Sequence, residues 1–504
     1  MVADLGESVK LANDVTYKRM NDVMKKLQKL SESEQSEFIR VLFGQSSPTP
    51  LPADIDEAIG KLDWVTENLN DSQKDAIRFA IASREVALVH GPPGTGKTHT
   101  LIELILQLLK KDLRILVCGP SNISVDNIVE RLAPHKVPMV RLGHPARLLP
   151  SVLHHSLDVI TKTSDAAALV RDVRNEMDQK QTSIRKTKSG RERKAIYGEL
   201  KELRKEYRER ERACVDDLVR SSKVVLATLH GAGGQQLRQA QFDVVIIDEA
   251  SQALEAQCWV PLLSAKKAVL AGDHLQLPPT IKSLNSKVKL GTKIETGDEN
   301  GSKSKATTLE TTLFDRLLEL HGSDIKRMLT TQYRMHEKIM VFPSEELYES
   351  RLIAAEHVKS RLLCELPGVE EIEDTKEPVI FYDTQGGDFP EKAEEDDVAK
   401  SRSMAESKSN EMEAALVVLH VKKLVEAGLK PDDIAVITPY NAQLSILSHA
   451  LKERYQGIEL GSVDGFQGRE KEAVVFSLVR SNEKHEVGFL AEKRRLNGMC
   501  SCFI

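Results

Sequence analysis

The stretch Glu85–Lys111, EVALVHGPPGTGKTHTLIELILQLLKK, decides the fold class. EVALVH is an apolar run of strand length, and THTLIELILQLLKK carries apolar residues at helical spacing. Between them, Gly91 to Thr98 matches G-x-x-x-x-G-K-[ST], with Pro92, Pro93, Gly94 and Thr95 in the variable positions and Gly96 before Lys97. A strand before and a helix after are the context this pattern needs to cradle phosphates. Glycines let backbone N–H groups wrap the anion, and the helix N-terminus adds partial positive charge. Lys97 is expected on the outer phosphates and the Thr98 hydroxyl on Mg²⁺.

Working outward, the same style repeats. RILVCGP (114–120), KVVLATL (223–229), FDVVIIDEA (242–250) and KAVLAGD (267–273) read as strands separated by helical text. Such alternation predicts an α/β fold with a parallel sheet covered on both faces. A second set, PVIFYDT (378–384), IAVITPY (434–440) and AVVFSLVRS (473–481), predicts a second sheet. Residues 1–50 read as a helical segment, and SSPTPLPADID (46–56) as a linker. Residues 171–215 hold fifteen basic and nine acidic residues, with KTKSG as a bend, and predict an inserted helical hairpin. It reads as a solvated charged face or as a projection toward nucleic acid. The polar stretch 283–308 and the acidic stretch 391–397 read as loops.

Composition narrows the class. The chain has 504 residues, 40% hydrophobic and 29% charged, with a net charge of −5. No apolar run approaches the roughly 18 residues of a spanning helix, so no membrane role is expected. The N-terminus has no apolar secretory core. The six cysteines lack metal-ligand spacing, which predicts reduced thiols in an intracellular protein. With that net charge, nucleic acid would be held by a local track rather than a basic surface. Aromatic residues are only 4%, so stacking platforms are few.

Beyond the cradle, hydrolysis needs a metal ligand and a base. The apolar strand in FDVVIIDEA ends in Asp248 and Glu249. Asp248 is expected to hold Mg²⁺ through water, and Glu249 to orient and deprotonate the attacking water. Gln276 in GDHLQLPP is expected to sense the γ-phosphate, and Asp273 to support the metal site.

Gly91–Thr98, DEASQALE (248–255), GDHLQLPP (272–279), TTQYRMHEKIM (330–340), VITPYNAQ (436–443) and SVDGFQGREKEAVVFSLVRSN (462–482), in this order, resemble the superfamily 1 helicases of the Up-frameshift-like branch. The resemblance runs from Leu11 to Asn497. It implies an ATP-driven motor moving 5′ to 3′ on single-stranded RNA or DNA, built from two tandem RecA-like lobes that flank the nucleotide. The lobes would be 51–170 with 216–322, interrupted by the hairpin, and 323–504; residues 1–50 would be a remnant stalk-like helix. It further implies that Gln73 reads the adenine edge, Tyr333 lies against adenine, Arg334 reaches the γ-phosphate and Glu470 approaches the ribose. Ser121, Asn122, Thr228, Thr438, Pro439, Tyr440 and Ser462 would line the nucleic-acid track with little sequence preference. Without the family, each of these reads as a turn or capping residue. A monomer, partners among ribosome- or tRNA-associated factors, and a cytoplasmic or nuclear location are also implied.

The resemblance has RRLN followed by Val-Ala, a variable residue and Thr-Arg-Ala, whose arginine is a second positive group on the γ-phosphate. Here RRLN (494–497) is followed by GMCSCFI. The expectation is a second lobe incomplete at its C-terminus. Such a lobe would bind ATP and nucleic acid but hydrolyse poorly, since an arginine finger supplies roughly 10³–10⁵ in turnover. Gly-Met-Cys can also be encoded GGT-ATG-TGT, which contains a typical intron start, so a gene-model error is an alternative source of the tail.

Overall fold

The computed structural model describes residues 15–163, 165–186, 189–279, 310–393, 407–466 and 469–500. The expected loop 283–308, most of 391–397, Gln467, Gly468 and the last four residues lie outside these. The chain divides into two compact units. One is Met1–Val89, Thr98–Gly272 and Pro279–Arg327; the other is His90–Lys97, Asp273–Pro278 and Met328–Ile504.

The first sheet contains β1 (Val86–His90), β2 (Ile115–Gly119), β3 (Met139–Leu142), β4 (Val224–Thr228), β5 (Val244–Ile247), β6 (Ala268–Gly272) and β7 (Lys326–Met328). Their order is β3-β4-β2-β5-β6-β1-β7. β2 runs parallel to β4 and β5, β3 to β4, and β5 to β6. Parallel neighbours need crossovers, and helices supply them. β1, β2 and β6 are buried at every residue, as expected of strands covered on both faces.

Sequence reading missed β3 and β7. β3 is short and carries Arg141, which no apolar pattern anticipates. Its guanidinium is fully buried and paired with Asp126, Nε to Oδ1 at 2.7 Å.

The N-terminal segment differs from a single stalk-like helix. Two helices, Val15–Lys29 and Glu37–Phe43, are separated by a break around Ser31–Ser36. The Ser36 side chain accepts from the Ile39 N–H and caps the second helix. Met20, Val23, Phe38, Ile39, Val41 and Leu42 join the core of the first unit, and Phe43 stacks on Trp259 at 4.8 Å. Burial of this apolar face keeps the segment on the core. The expected linker is also pinned: Thr49 donates to the Glu85 carboxylate through its N–H (3.0 Å) and hydroxyl (2.6 Å).

The hairpin consists of helices Asp165–Lys186 and Gly190–Ser221, joined by a small cluster of Val173, Met177 and Leu200. The second helix outruns the expected limit because Val219 buries into the core of the first unit.

In the second unit β8 (Thr331–Gln332) pairs with β9 (Ile353–Ala354), and β10 (Lys392–Ala393) with β11 (Lys408–Ser409). The main sheet is β12 (Ile434–Ile437), β13 (Glu459–Gly461) and β14 (Ala473–Phe476), all parallel, in order β13-β12-β14. Helices Glu411–Glu426 and Asn441–Leu451 pack on it through Val417, Val421, Leu447 and Leu451. The strand expected at 378–384 does not form. Among the described residues it pairs with no neighbour, and Phe381 is 78% exposed. A strand exists only where another backbone accepts its N–H and C=O groups.

Candidate active site and nucleic-acid interface

β1 ends at His90, and the helix Lys97–Lys110 begins as the glycine-rich turn closes. Gly94 and Gly96 sit at φ of 71° and 74°, the left-handed region where a side chain is strained. At Gly91 a Cβ would come within 2.9 Å of the Lys97 Cβ. The Thr95 hydroxyl donates to the Pro92 carbonyl at 2.7 Å and tightens the turn.

Within the second unit this turn is bonded to the QYRM segment. The Tyr333 N–H donates to the Gly94 carbonyl at 2.8 Å, and the Leu329 N–H to the His90 carbonyl at 2.9 Å. A Cβ on Gly94 would lie 2.7 Å from the Arg334 Cβ. Arg334 Nη2 pairs with Glu470 Oε2 at 2.6 Å. Buried Gln332 shapes the segment: its Oε1 accepts from the N–H groups of Arg334 and Met335, and its Nε2 donates to the Met335 carbonyl. The Tyr333 ring lies against His357, centroids 5.9 Å apart.

Within the first unit Asp248 and Glu249 follow β5. Asp248 is buried, and its Oδ1 accepts from the Glu249 N–H at 2.9 Å. Glu249 itself adopts φ of 52°. A non-glycine residue held there carries strain, which tends to gather at functional positions. Gln252 Nε2 donates to Glu249 Oε2 at 2.7 Å. Thr98 offers a hydroxyl and Asp248 a carboxylate, oxygen donors of the kind Mg²⁺ prefers. Gln73 is buried in a capping box: its Oε1 accepts from the Asn70 N–H, and its own N–H donates to Asn70 Oδ1. The side-chain carbonyl of the residue expected to read the adenine edge is thus used in starting its own helix.

Asp273, expected to support the metal site, lies with His90 and His274 in a cluster whose donor atoms fall within 4.8 Å of one another. It is buried, and both its oxygens are taken: Oδ1 by His90 Nε2 and the Leu275 N–H, Oδ2 by Gln276 Nε2 and the Tyr348 hydroxyl. Burial works to raise this carboxyl, but the bonds from His90, Tyr348 and Gln276 outweigh it and hold it at about 2.

The residues expected on the nucleic-acid track do local work. Ser121 caps the helix Asn122–Leu132 by accepting from the Ser124 N–H, and Asn122 Oδ1 accepts from Arg141 Nη2. Thr228 Oγ1 accepts from the Gly231 N–H, and Ser462 Oγ from the Gly465 N–H. In the second unit Thr438 is fully buried and its hydroxyl has no partner among the described residues. Pro439 is half-buried; Tyr440 is buried, and its hydroxyl receives Arg480 Nη1 at 3.4 Å.

Models of the AAA domain match residues 68–284 and 309–501. The chain is 49% identical over 492 residues to DNA polymerase alpha-associated DNA helicase A of Schizosaccharomyces pombe, covering 97% of this chain and 70% of that protein. The chain belongs to the superfamily 1 helicases, in their Up-frameshift-like branch. It is also 46% identical to DNA-binding protein SMUBP-2 of Mus musculus, spanning 46% of that protein's length. An uncharacterized ATP-dependent helicase of Methanocaldococcus jannaschii is 33% identical over 96% of this chain and 72% of its own.

Sequence reading of this helicase missed four residues around the motifs: His90, Gln332, Tyr348 and Asn497. Gln332 and Asn497 lie within the motifs QYRM and RRLN, beside residues with a more direct chemical signature. Tyr348 had no sequence signal, because its partner Asp273 lies 75 residues away.

Proposed function

We propose that this helicase core binds ATP with Mg²⁺ and uses its hydrolysis to move 5′ to 3′ along single-stranded DNA or RNA. The observation that carries the reading is the direct bonding of the glycine-rich turn to the QYRM segment, Tyr333 N–H to Gly94 O at 2.8 Å. It sets the Arg334 backbone beside the loop whose N–H groups would hold phosphates.

In this reading the turn 91–98 cradles the phosphate tail, and Lys97 neutralises the outer phosphates. Thr98 and, through water, Asp248 would hold Mg²⁺, which would supply positive charge against the phosphates. Glu249 takes the proton of the attacking water as that water's oxygen bonds to the γ-phosphorus. The bond from the γ-phosphorus to the bridging oxygen breaks, and ADP leaves with the electron pair. Gln276 lies by the γ-phosphate, and Arg334 stabilises the charge that develops there. Gln73 would read the adenine edge, Tyr333 would lie against the adenine, and Glu470 would approach the ribose once Arg334 leaves it. Ser121, Asn122, Thr228, Thr438, Pro439, Tyr440 and Ser462 hold the strand by its phosphates, with little sequence preference. DNA is favoured by the names of the yeast and mouse relatives. We further propose a nuclear or cytoplasmic monomer, with ribosome- or tRNA-associated factors among its partners.

The test is ATP turnover with and without single-stranded DNA and RNA, for the parent, Lys97→Ala and Glu249→Gln. Stimulation of the parent by either strand, lost in both variants, supports the reading. Turnover that persists in Lys97→Ala, or that ignores nucleic acid altogether, refutes it.

A further inference from the structure

Asp273, Tyr348 and Asn497 are each at most 2% exposed, yet all carry polar groups, and those groups are bonded in series. Asn497 Nδ2 donates to the Tyr348 hydroxyl at 2.6 Å and to the Leu275 carbonyl at 2.9 Å. The Tyr348 hydroxyl has one proton and donates it to Asp273 Oδ2 at 2.6 Å. The same oxygen accepts from Gln276 Nε2 at 2.8 Å. On the other side His90 Nε2 donates to Asp273 Oδ1 at 2.9 Å, and His90 directly precedes the glycine-rich turn. The series therefore gathers groups from 90, 273–276, 348 and 497.

A carboxylate accepts and cannot donate. The Gln276 amide is thus forced to turn its nitrogen toward Asp273. Its second N–H and its carbonyl oxygen then face away, and both are half of what a phosphate-bound water requires: an acceptor for the water proton and a donor to a phosphate oxygen. With Asp273 removed, the amide could flip and present the two ends reversed.

We infer that Asp273 is a positioning residue: held by Tyr348, Asn497 and His90, it fixes the orientation in which Gln276 meets the γ-phosphate. This rests on the reading of Gln276 as a γ-phosphate contact. It also links that contact to the helices Glu337–Leu347 and Lys493–Cys500, which flank or contain Tyr348 and Asn497.

The experiment is calorimetric titration of the full chain with Mg²⁺ and either ADP or the non-hydrolysable analogue AMPPNP. It is run for the parent, Gln276→Ala, Asp273→Asn, Tyr348→Phe and the double variant Asp273→Asn/Gln276→Ala. A lost hydrogen bond to a charged group is worth about tenfold or more. Gln276→Ala and Asp273→Asn should each reduce the preference for AMPPNP over ADP by about tenfold, and Tyr348→Phe by less. ADP affinity should stay within about twofold of the parent. The double variant should match Gln276→Ala, because Asp273 acts through that side chain. A purely structural role would lower the melting temperature and leave the nucleotide preference intact, which overturns the inference; so do losses that multiply in the double variant. Should Asp273→Asn not fold, Tyr348→Phe decides by the same criterion, since it removes one hydroxyl. A parent that binds neither nucleotide defeats the proposed function as well, whereas a parent that binds both while the variants keep its preference defeats the positioning role alone.

Discussion

Arg334 and Glu470, both expected on the nucleotide, are paired with each other: Nη2 to Oε2 is 2.6 Å. The side chains are 23% and 50% exposed, so the pair contributes at most about 1 kcal/mol to stability. A γ-phosphate carries more charge than one carboxylate and can take the arginine from it. Glu470→Ala should therefore change the urea unfolding free energy by under about 1 kcal/mol. Arg334→Ala should lower ATP turnover by about 10³-fold while weakening ATP binding far less. Equal loss of binding and turnover in Arg334→Ala would show that the arginine grips the ground state.

Gly94 offers a test of the cradle with an internal control. Alanine at Gly94 suffers the left-handed backbone and the 2.7 Å approach to the Arg334 Cβ, whereas alanine at Gly60, φ 79°, meets nothing within 4 Å. The backbone term is about 1–3 kcal/mol at each, Gly60 having ψ of 165°, where glycine alone is at ease. Gly60→Ala should lose about that much in chemical denaturation and keep nucleotide affinity. Gly94→Ala should lose more and bind nucleotide poorly. Equal stability of the two variants would mean the close approach is not felt.

The buried Arg141–Asp126 pair predicts an asymmetry. Asp126 also accepts the Leu149 N–H at 3.0 Å. Asp126→Ala leaves a guanidinium buried and uncompensated, and should cost about 3–5 kcal/mol. Replacing both partners by apolar residues of similar volume, Asp126→Leu with Arg141→Met, should cost clearly less than the single change. Denaturant midpoints decide, and a double variant as unstable as the sum of its singles would contradict the argument.

Glu391 sets a pH dependence in the second unit. Burial pushes its carboxyl up, but Lys408, Arg480, the Ser481 N–H and Asn482 more than compensate and hold it at about 2, against an ordinary 4.5. Between these values the unfolded chain binds the proton that the folded one refuses. The contribution is thus fully present above about pH 4.5 and is lost as pH falls toward 2. Glu391→Gln should destabilise by about 1–3 kcal/mol at pH 6–7, with the gap to the parent closing on acidification. A gap independent of pH would assign the stabilisation elsewhere.

Strand binding should depend on salt. If phosphates carry the affinity, the logarithm of the binding constant falls by about 0.7 per neutralised phosphate for each decade of salt. Fluorescence anisotropy with oligonucleotides of different sequence should give parallel lines of similar height. A flat response would argue against a phosphate track.

What could be read from residues alone was what lies close along the chain. Gly91 to Thr98, the strand before it and the helix after it are contiguous, so composition specifies them. The same holds for β5 with Asp248 and Glu249 at its end, and for the two helices of the hairpin. The structure decided what depends on distant partners. PVIFYDT has strand composition but no backbone to pair with. β3 forms because it pairs with β4, and Asp126 neutralises the Arg141 that it buries. Asp273 reads in sequence as support for a metal site, and only the approach of His90 and Tyr348 shows it to be the hub of a buried network. Propensity and motif spacing act over a few residues and are written in order, whereas hydrogen bonds that satisfy buried charge join groups whose separation in sequence carries no signal.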